Sequence, residues 1–137
     1  MLSFAVAQIC FIKAFGFEPL KPGIALLVLS TFIYILNLLL PNIDEVPIKI
    51  GFPVYSLFLG TMGWRALAKM GQGFVEKLAG LGAVLFMISD ACIGINLFYQ
   101  KLDHSQEIIM STYYLAQYLI TLYGAKLINI ERKEKEE

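Results

Sequence analysis

Apolar residues along this chain fall in blocks about as long as a membrane is thick, divided by short polar breaks. Four stretches, residues 23–40, 48–67, 78–98 and 108–127, match the about 20 mostly apolar residues that a spanning helix needs. A fifth, residues 1–15, is slightly shorter; it shows no positively charged leading region and no small-residue cleavage site, so it does not read as a signal peptide. The breaks carry residues that stop helices: Gly16, Pro19 and Pro22, then Pro41, Asn42 and Pro47, then Gly71 and Gly73, then Asp103 and His104. The pattern predicts an all-α, polytopic membrane helix bundle of about five transmembrane helices, one domain over residues 1–127. Residues 128–137 form a charged tail, read as a solvated, disordered end.

Composition agrees with that reading. The chain is 58% hydrophobic and 16% charged, with mean hydropathy +0.67; a soluble domain carries about a quarter of its residues as charges. Formal net charge is zero and no basic patch interleaves with aromatics, so nucleic acid is not an expected partner. Cys10 and Cys92 both sit in apolar stretches and read as small buried hydrophobes. Two distant thiols make neither a disulfide framework nor a metal site, and no cofactor is expected. G-x-S-x-G, H-E-x-x-H and Walker motifs do not occur, which leaves common hydrolase and nucleotide chemistries without support.

Lys and Arg placement predicts orientation. Lys49 and Lys101 fall on one side, whereas Lys13, Lys21, Arg65, Lys69, Lys77, Lys126, Arg132, Lys133 and Lys135 fall on the other. Positive residues collect on the cytoplasmic side, so the C-terminus is expected there and the N-terminus outside or in a lumen.

Asp90 is the most informative single residue, because it lies near the middle of the apolar stretch 78–98. A carboxylate at that depth costs roughly 2.5–3.5 kcal/mol on the mildest scales, and such residues mark functional sites. At about 1.5 Å per residue, Asp90 lies ~18 Å from the cytoplasmic end of its helix, between Gln117 at ~15 Å and Tyr113 at ~21 Å on the next helix. Tyr113, Gln117 and Thr121 recur every four residues and so share one face. Ser89 joins the candidate substrate-binding set, although hydroxyls such as those of Ser89, Thr112 and Thr121 often only bond helix to helix. Trp64 and Arg65 close the third helix. They read either as an aromatic belt residue beside a snorkelling cation or as a phosphate contact. Arg65 differs from Asp90 by roughly 15 Å in depth, so it is not an expected counter-charge. His104, in an outer loop with Asp103, reads as a solvated residue rather than a ligand.

Several segments carry a family resemblance. Gly82-Ala83-Val84-Leu85-Phe86-Met87-Ile88-Ser89-Asp90, continuing to Asn96 and Phe98, resembles the core motif of the YhhN, or transmembrane protein 86, family. Ile109-Met110-Ser111-Thr112-Tyr113-Tyr114-Leu115-Ala116-Gln117 resembles a second family segment, and Met62-Gly63-Trp64-Arg65-Ala66 and Ala14-Phe15-Gly16 with Pro19-Leu20 match its animal members. The matches run in order from Phe4 to about Leu119. The resemblance implies a fold of about eight helices, of which this chain would be the C-terminal part. It also implies lysoplasmalogenase activity and residence mainly in the endoplasmic reticulum. The implied reaction hydrolyses the vinyl-ether bond of a lysophospholipid, giving a fatty aldehyde and glycerophosphocholine or glycerophosphoethanolamine. Asp90 would be the catalytic carboxyl, with Tyr113, Gln117 and Ser89 orienting water or substrate and Arg65 near the phosphate.

Two departures from the family pattern stand out. A second family Asp, in a Gly-Asp motif on an earlier helix, would lie before Met1, which leads us to expect a fragment or short isoform. Gln8 and Phe11 stand where the family favours His and Tyr. Helices deprived of neighbours would turn polar faces to lipid, so a homo-oligomer is an expected partner arrangement beside the bilayer itself. Two readings compete with the enzyme: a catalytically silent, lipid-binding or regulatory member, and a small proton or ion transporter. The transporter calls for further deep ionisable residues, and Asp90 alone is deep.

Overall fold

Proline and glycine set the ends of the helices. In the computed structural model, which describes residues 2–136 and their side chains from residue 6 onward, five α-helices follow one another. They are α1 (Leu2–Phe15), α2 (Pro22–Leu39), α3 (Val46–Lys69), α4 (Phe74–Phe98) and α5 (Ser105–Glu136), with a 3-10 turn at Leu40–Asn42. Pro22 and Pro47 occupy the first helical positions of α2 and α3, where a missing N–H costs nothing. Gly16 stops α1 with φ at +64°, and its N–H caps the carbonyl of Ile12 at 3.0 Å. The predicted stretches therefore correspond to the observed helices within a few residues, except that α5 runs further.

The tail is the correction. Helix α5 continues through residues 128–136 instead of dissolving into coil, with those residues exposed. Its charges alternate so that Glu131 precedes Lys135 by four residues, the favourable orientation for a helical pair. Lys133 and Lys135 also sit in the last turn, where cations suit the helix dipole. A helix already nucleated by packing needs little more to propagate. At 1.5 Å per residue α5 is ~48 Å long, well beyond a hydrocarbon core of about 30 Å, so its charged end stands clear of the membrane.

Helix α4 is the centre of the bundle and α5 its closest neighbour. Gly82 makes that approach possible: a Cβ there would sit 2.8 Å from Leu119 Cβ and 2.9 Å from the Ala116 carbonyl oxygen. Small residues at Ala79, Gly82, Ala83 and Ala116 line the seam, as in membrane helix pairs packed by van der Waals contact. The core adds Phe15, Leu59, Met62, Ala66, Phe86, Ile120 and Tyr123 from α1, α3, α4 and α5.

Helix α2 is the opposite case. Only Val28 and Leu39 along it are buried, while Leu26, Leu27, Leu29, Ile33 and Tyr34 face outward. An exposed apolar stripe of that extent is compatible with lipid and not with water. Segments Pro22–Asn42 and Phe74–Phe98 are each long and apolar enough to cross a membrane. α1, α3 and α5 complete an all-α membrane bundle around them.

Candidate functional site

Four helices each bring a polar side chain to a cluster around Asp90. Asp90 on α4 accepts a hydrogen bond at Oδ2 from the phenol of Tyr55 on α3. Tyr113 on α5 lies within electrostatic reach of the same phenol, its ring packed against Phe86 at 5.6 Å between centroids. Gln8 on α1 turns its carboxamide towards Tyr55, yet neither amide atom reaches hydrogen-bonding geometry with another group among the described residues. Gln8 is wholly buried. Among the described residues no cation pairs with Asp90. Tyr55 engages Oδ2 and leaves Oδ1 outside that bond.

The other sequence candidates are placed differently. Ser89 is fully buried and donates to the Ile109 carbonyl of α5 at 3.2 Å, a bond from helix to helix. Gln117 is half-buried one turn from Tyr113, and its side chain finds no hydrogen-bond partner among the described residues. Its backbone carbonyl accepts the Thr121 hydroxyl at 2.7 Å, a local helix contact.

Arg65 is not a snorkelling residue. It has no exposed surface at all, because its guanidinium turns inward to clasp the loop between α1 and α2. Nε donates to the Gly16 carbonyl at 2.6 Å and Nη1 to the Pro19 carbonyl at 3.0 Å. Trp64 lies against the guanidinium at 5.0 Å, and its indole N–H donates to the Lys21 carbonyl at 3.1 Å. Nη2 is buried without an acceptor. A partly buried ion pair, Glu76 with Lys126, ties the start of α4 to α5.

Tyr55 as a site member was not found from the sequence, and Gln8 was singled out only as a departure from the family pattern. A depth count was available for Tyr55: ten residues before Arg65 at 1.5 Å each is ~15 Å, the separation already derived for Asp90. A tyrosine in a spanning helix ordinarily reads as an interface anchor, which hid it. Among the described residues no group of three or more His, Cys, Asp or Glu is placed to hold a metal ion.

A lipid-facing helix bundle with a carboxyl–phenol pair in its interior defines a polytopic membrane protein with an internal acid site. Residues 1–123 match the YhhN family, and the chain belongs to it. Similar proteins include the lysoplasmalogenase TMEM86B of Homo sapiens, 41% identical over 122 residues that make up 89% of this chain and 51% of that protein. The lysoplasmalogenase TMEM86B of Sus scrofa is 40% identical over 120 residues, covering 88% and 50%. The lysoplasmalogenase TMEM86A of Bos taurus is 38% identical over 129 residues, covering 89% and 52%. The chain thus spans about half the length of the curated relatives it matches. No solved structure matches it.

Proposed function

We propose that this chain carries the acid site of a lysoplasmalogen hydrolase, acting on alkenyl-glycerophosphocholine or alkenyl-glycerophosphoethanolamine. The observation that carries this reading is the Tyr55–Asp90 hydrogen bond inside a bundle whose exterior faces lipid. The names of the similar proteins support the substrate class.

The chemistry needs one well-placed proton. Asp90, in its acid form, protonates the enol carbon two atoms from the ether oxygen, and the vinyl ether becomes an oxocarbenium ion. The resulting carboxylate lies beside that cation and stabilises it. Water adds to the cationic carbon and returns a proton to Asp90. The hemiacetal then collapses, its C–O bond to glycerol breaking as the glycerol oxygen takes up a proton, to give a fatty aldehyde and the glycerophospho-alcohol. Tyr55 fixes which carboxyl oxygen is free, while Tyr113 and Gln117 orient the polar end of the substrate. Arg65 Nη2, the guanidinium nitrogen without a protein acceptor, is the donor left for the phosphate.

In this reading the enzyme resides in the endoplasmic reticulum, with its charged helical end cytoplasmic and its N-terminus lumenal. Residues 1–127 are the catalytic bundle. The test is aldehyde release from the purified, detergent-solubilised chain given a lysoplasmalogen. Asp90→Asn is expected to lower turnover by about 100-fold or more. An Asp90→Asn chain that works at the wild-type rate would remove the acid role. A folded wild-type chain that releases no aldehyde would favour a lipid-binding family member instead.

A further inference from the structure

The mechanism above leaves the water unplaced, and one side chain in the site is unexplained. Gln8 has no exposed surface, and among the described residues its Oε1 has no hydrogen-bond partner while its Nε2 lies towards the Tyr55 phenol without reaching hydrogen-bonding geometry. Buried polar atoms in folded proteins nearly always have partners, and one left without them costs the full desolvation of the group. A buried amide so weakly held is thus a poor structural element. It faces the phenol that holds the catalytic carboxyl, so it lies where a small polar reactant must enter.

Resting on the vinyl-ether hydrolysis proposed above, we propose that Gln8 holds the water that attacks the oxocarbenium ion. Its Oε1 accepts a hydrogen bond from that water and turns a lone pair towards the cationic carbon. The water's other proton passes to the Asp90 carboxylate as the new C–O bond forms, which restores the acid. Nε2 donates to the substrate's ether oxygen as the hemiacetal collapses. Phe11, one turn along α1 and packed against the core, keeps bulk water from the same place.

The substrate supplies an internal competitor that makes the role measurable. A lysoplasmalogen has a free hydroxyl on the middle glycerol carbon, adjacent to the carbon that bears the vinyl-ether oxygen. That hydroxyl can also attack the oxocarbenium ion, losing its proton to Asp90 and closing a five-membered cyclic acetal. The cyclic acetal is an isomer of the substrate, whereas hydrolysis consumes one water. A held water favours aldehyde; an unheld one lets the ring close.

The experiment compares wild-type, Gln8→Leu and Gln8→His chains with the same lysoplasmalogen, and separates aldehyde from cyclic acetal by chromatography and mass spectrometry. Gln8→Leu is expected to lower the aldehyde-forming kcat about tenfold with KM little changed, and to raise the cyclic acetal share. Gln8→His, which keeps an acceptor nitrogen, is expected to return most of the wild-type partition. A merely structural amide would not move that ratio. Thermal unfolding in detergent without substrate is the companion readout, and Gln8→Leu is expected to raise the midpoint by ~3 °C because it removes an unpaired amide. An active wild-type chain with an unmoved partition in Gln8→Leu would overturn the water assignment alone. A lowered midpoint would overturn it too, by showing the amide to be a structural partner. A wild-type chain that makes no aldehyde overturns the function, and this assignment with it.

Discussion

Arg65 at the loop end of the bundle and Gln8 in its middle are equally buried, and the fold treats them in opposite ways. Two of the Arg65 donors meet backbone carbonyls, Gly16 and Pro19, that would otherwise lie at a helix end without partners. Gln8 meets none. Burial alone therefore does not separate a functional polar residue from a structural one. What separates them is whether the protein itself satisfies the atoms it has taken from water. Around Arg65 it does so for all but one nitrogen, and the result is a fixed loop. Around Gln8 it does not, and the result is a place for a reactant.

Mutation can break this comparison or sharpen it. The largest expected effect on stability is at the clasp, where Arg65→Met strips the donors from two partly buried carbonyls and should cost about 3 kcal/mol. Denaturation in detergent measures this, and a loss below about 1 kcal/mol would mean that the loop holds itself. Tyr55→Phe comes next and should act on chemistry more than on the fold. Releasing Oδ2 of Asp90 should lower kcat about tenfold, about 1.4 kcal/mol of barrier, with KM nearly unchanged. If KM rose while kcat held, Tyr55 would belong to substrate binding and not to the carboxyl. The smallest effect is expected for Ser89→Ala, which deletes one helix-to-helix hydrogen bond worth ~0.6 kcal/mol. A loss of several kcal/mol there would place Ser89 with Arg65 as a structural keystone.

The helices were legible because blocks of apolar residues and the Pro and Gly between them act locally, and local signals survive in a linear sequence. Asp90 was legible for a similar reason, since a charge in an apolar stretch needs no partner to be conspicuous. Its partner was not. Tyr55 stands 35 positions away on another helix, and nothing near it in sequence says which way it turns. Counting residues gives depth along a helix but not rotation about its axis. Gln117 shows the consequence: placed near the level of Asp90 by rise, it makes no side-chain bond there. Arg65 misled for a different reason. An arginine at the end of a spanning helix usually reaches for water, and only the return of the α1–α2 loop over it reveals carbonyls to hold. The charged tail looked disordered because its composition resembles solvated chain, yet its spacing of Glu and Lys suits the helix that α5 extends.

The α4–α5 seam also bears on how such a chain enters a bilayer. The loop between these helices is short, and Asn96 closes it by accepting the Leu102 N–H at 3.0 Å. Gly82 lets the two backbones meet, and Ser89 has its acceptor on the facing helix. Every one of these contacts lies within a single hairpin, so the pair can close as soon as both helices have been synthesised. Asp90 is then carried into hydrocarbon on a helix with one flank already shielded by protein. Biogenesis of this protein is thus coupled to a two-helix unit, and its costly carboxyl travels with an escort.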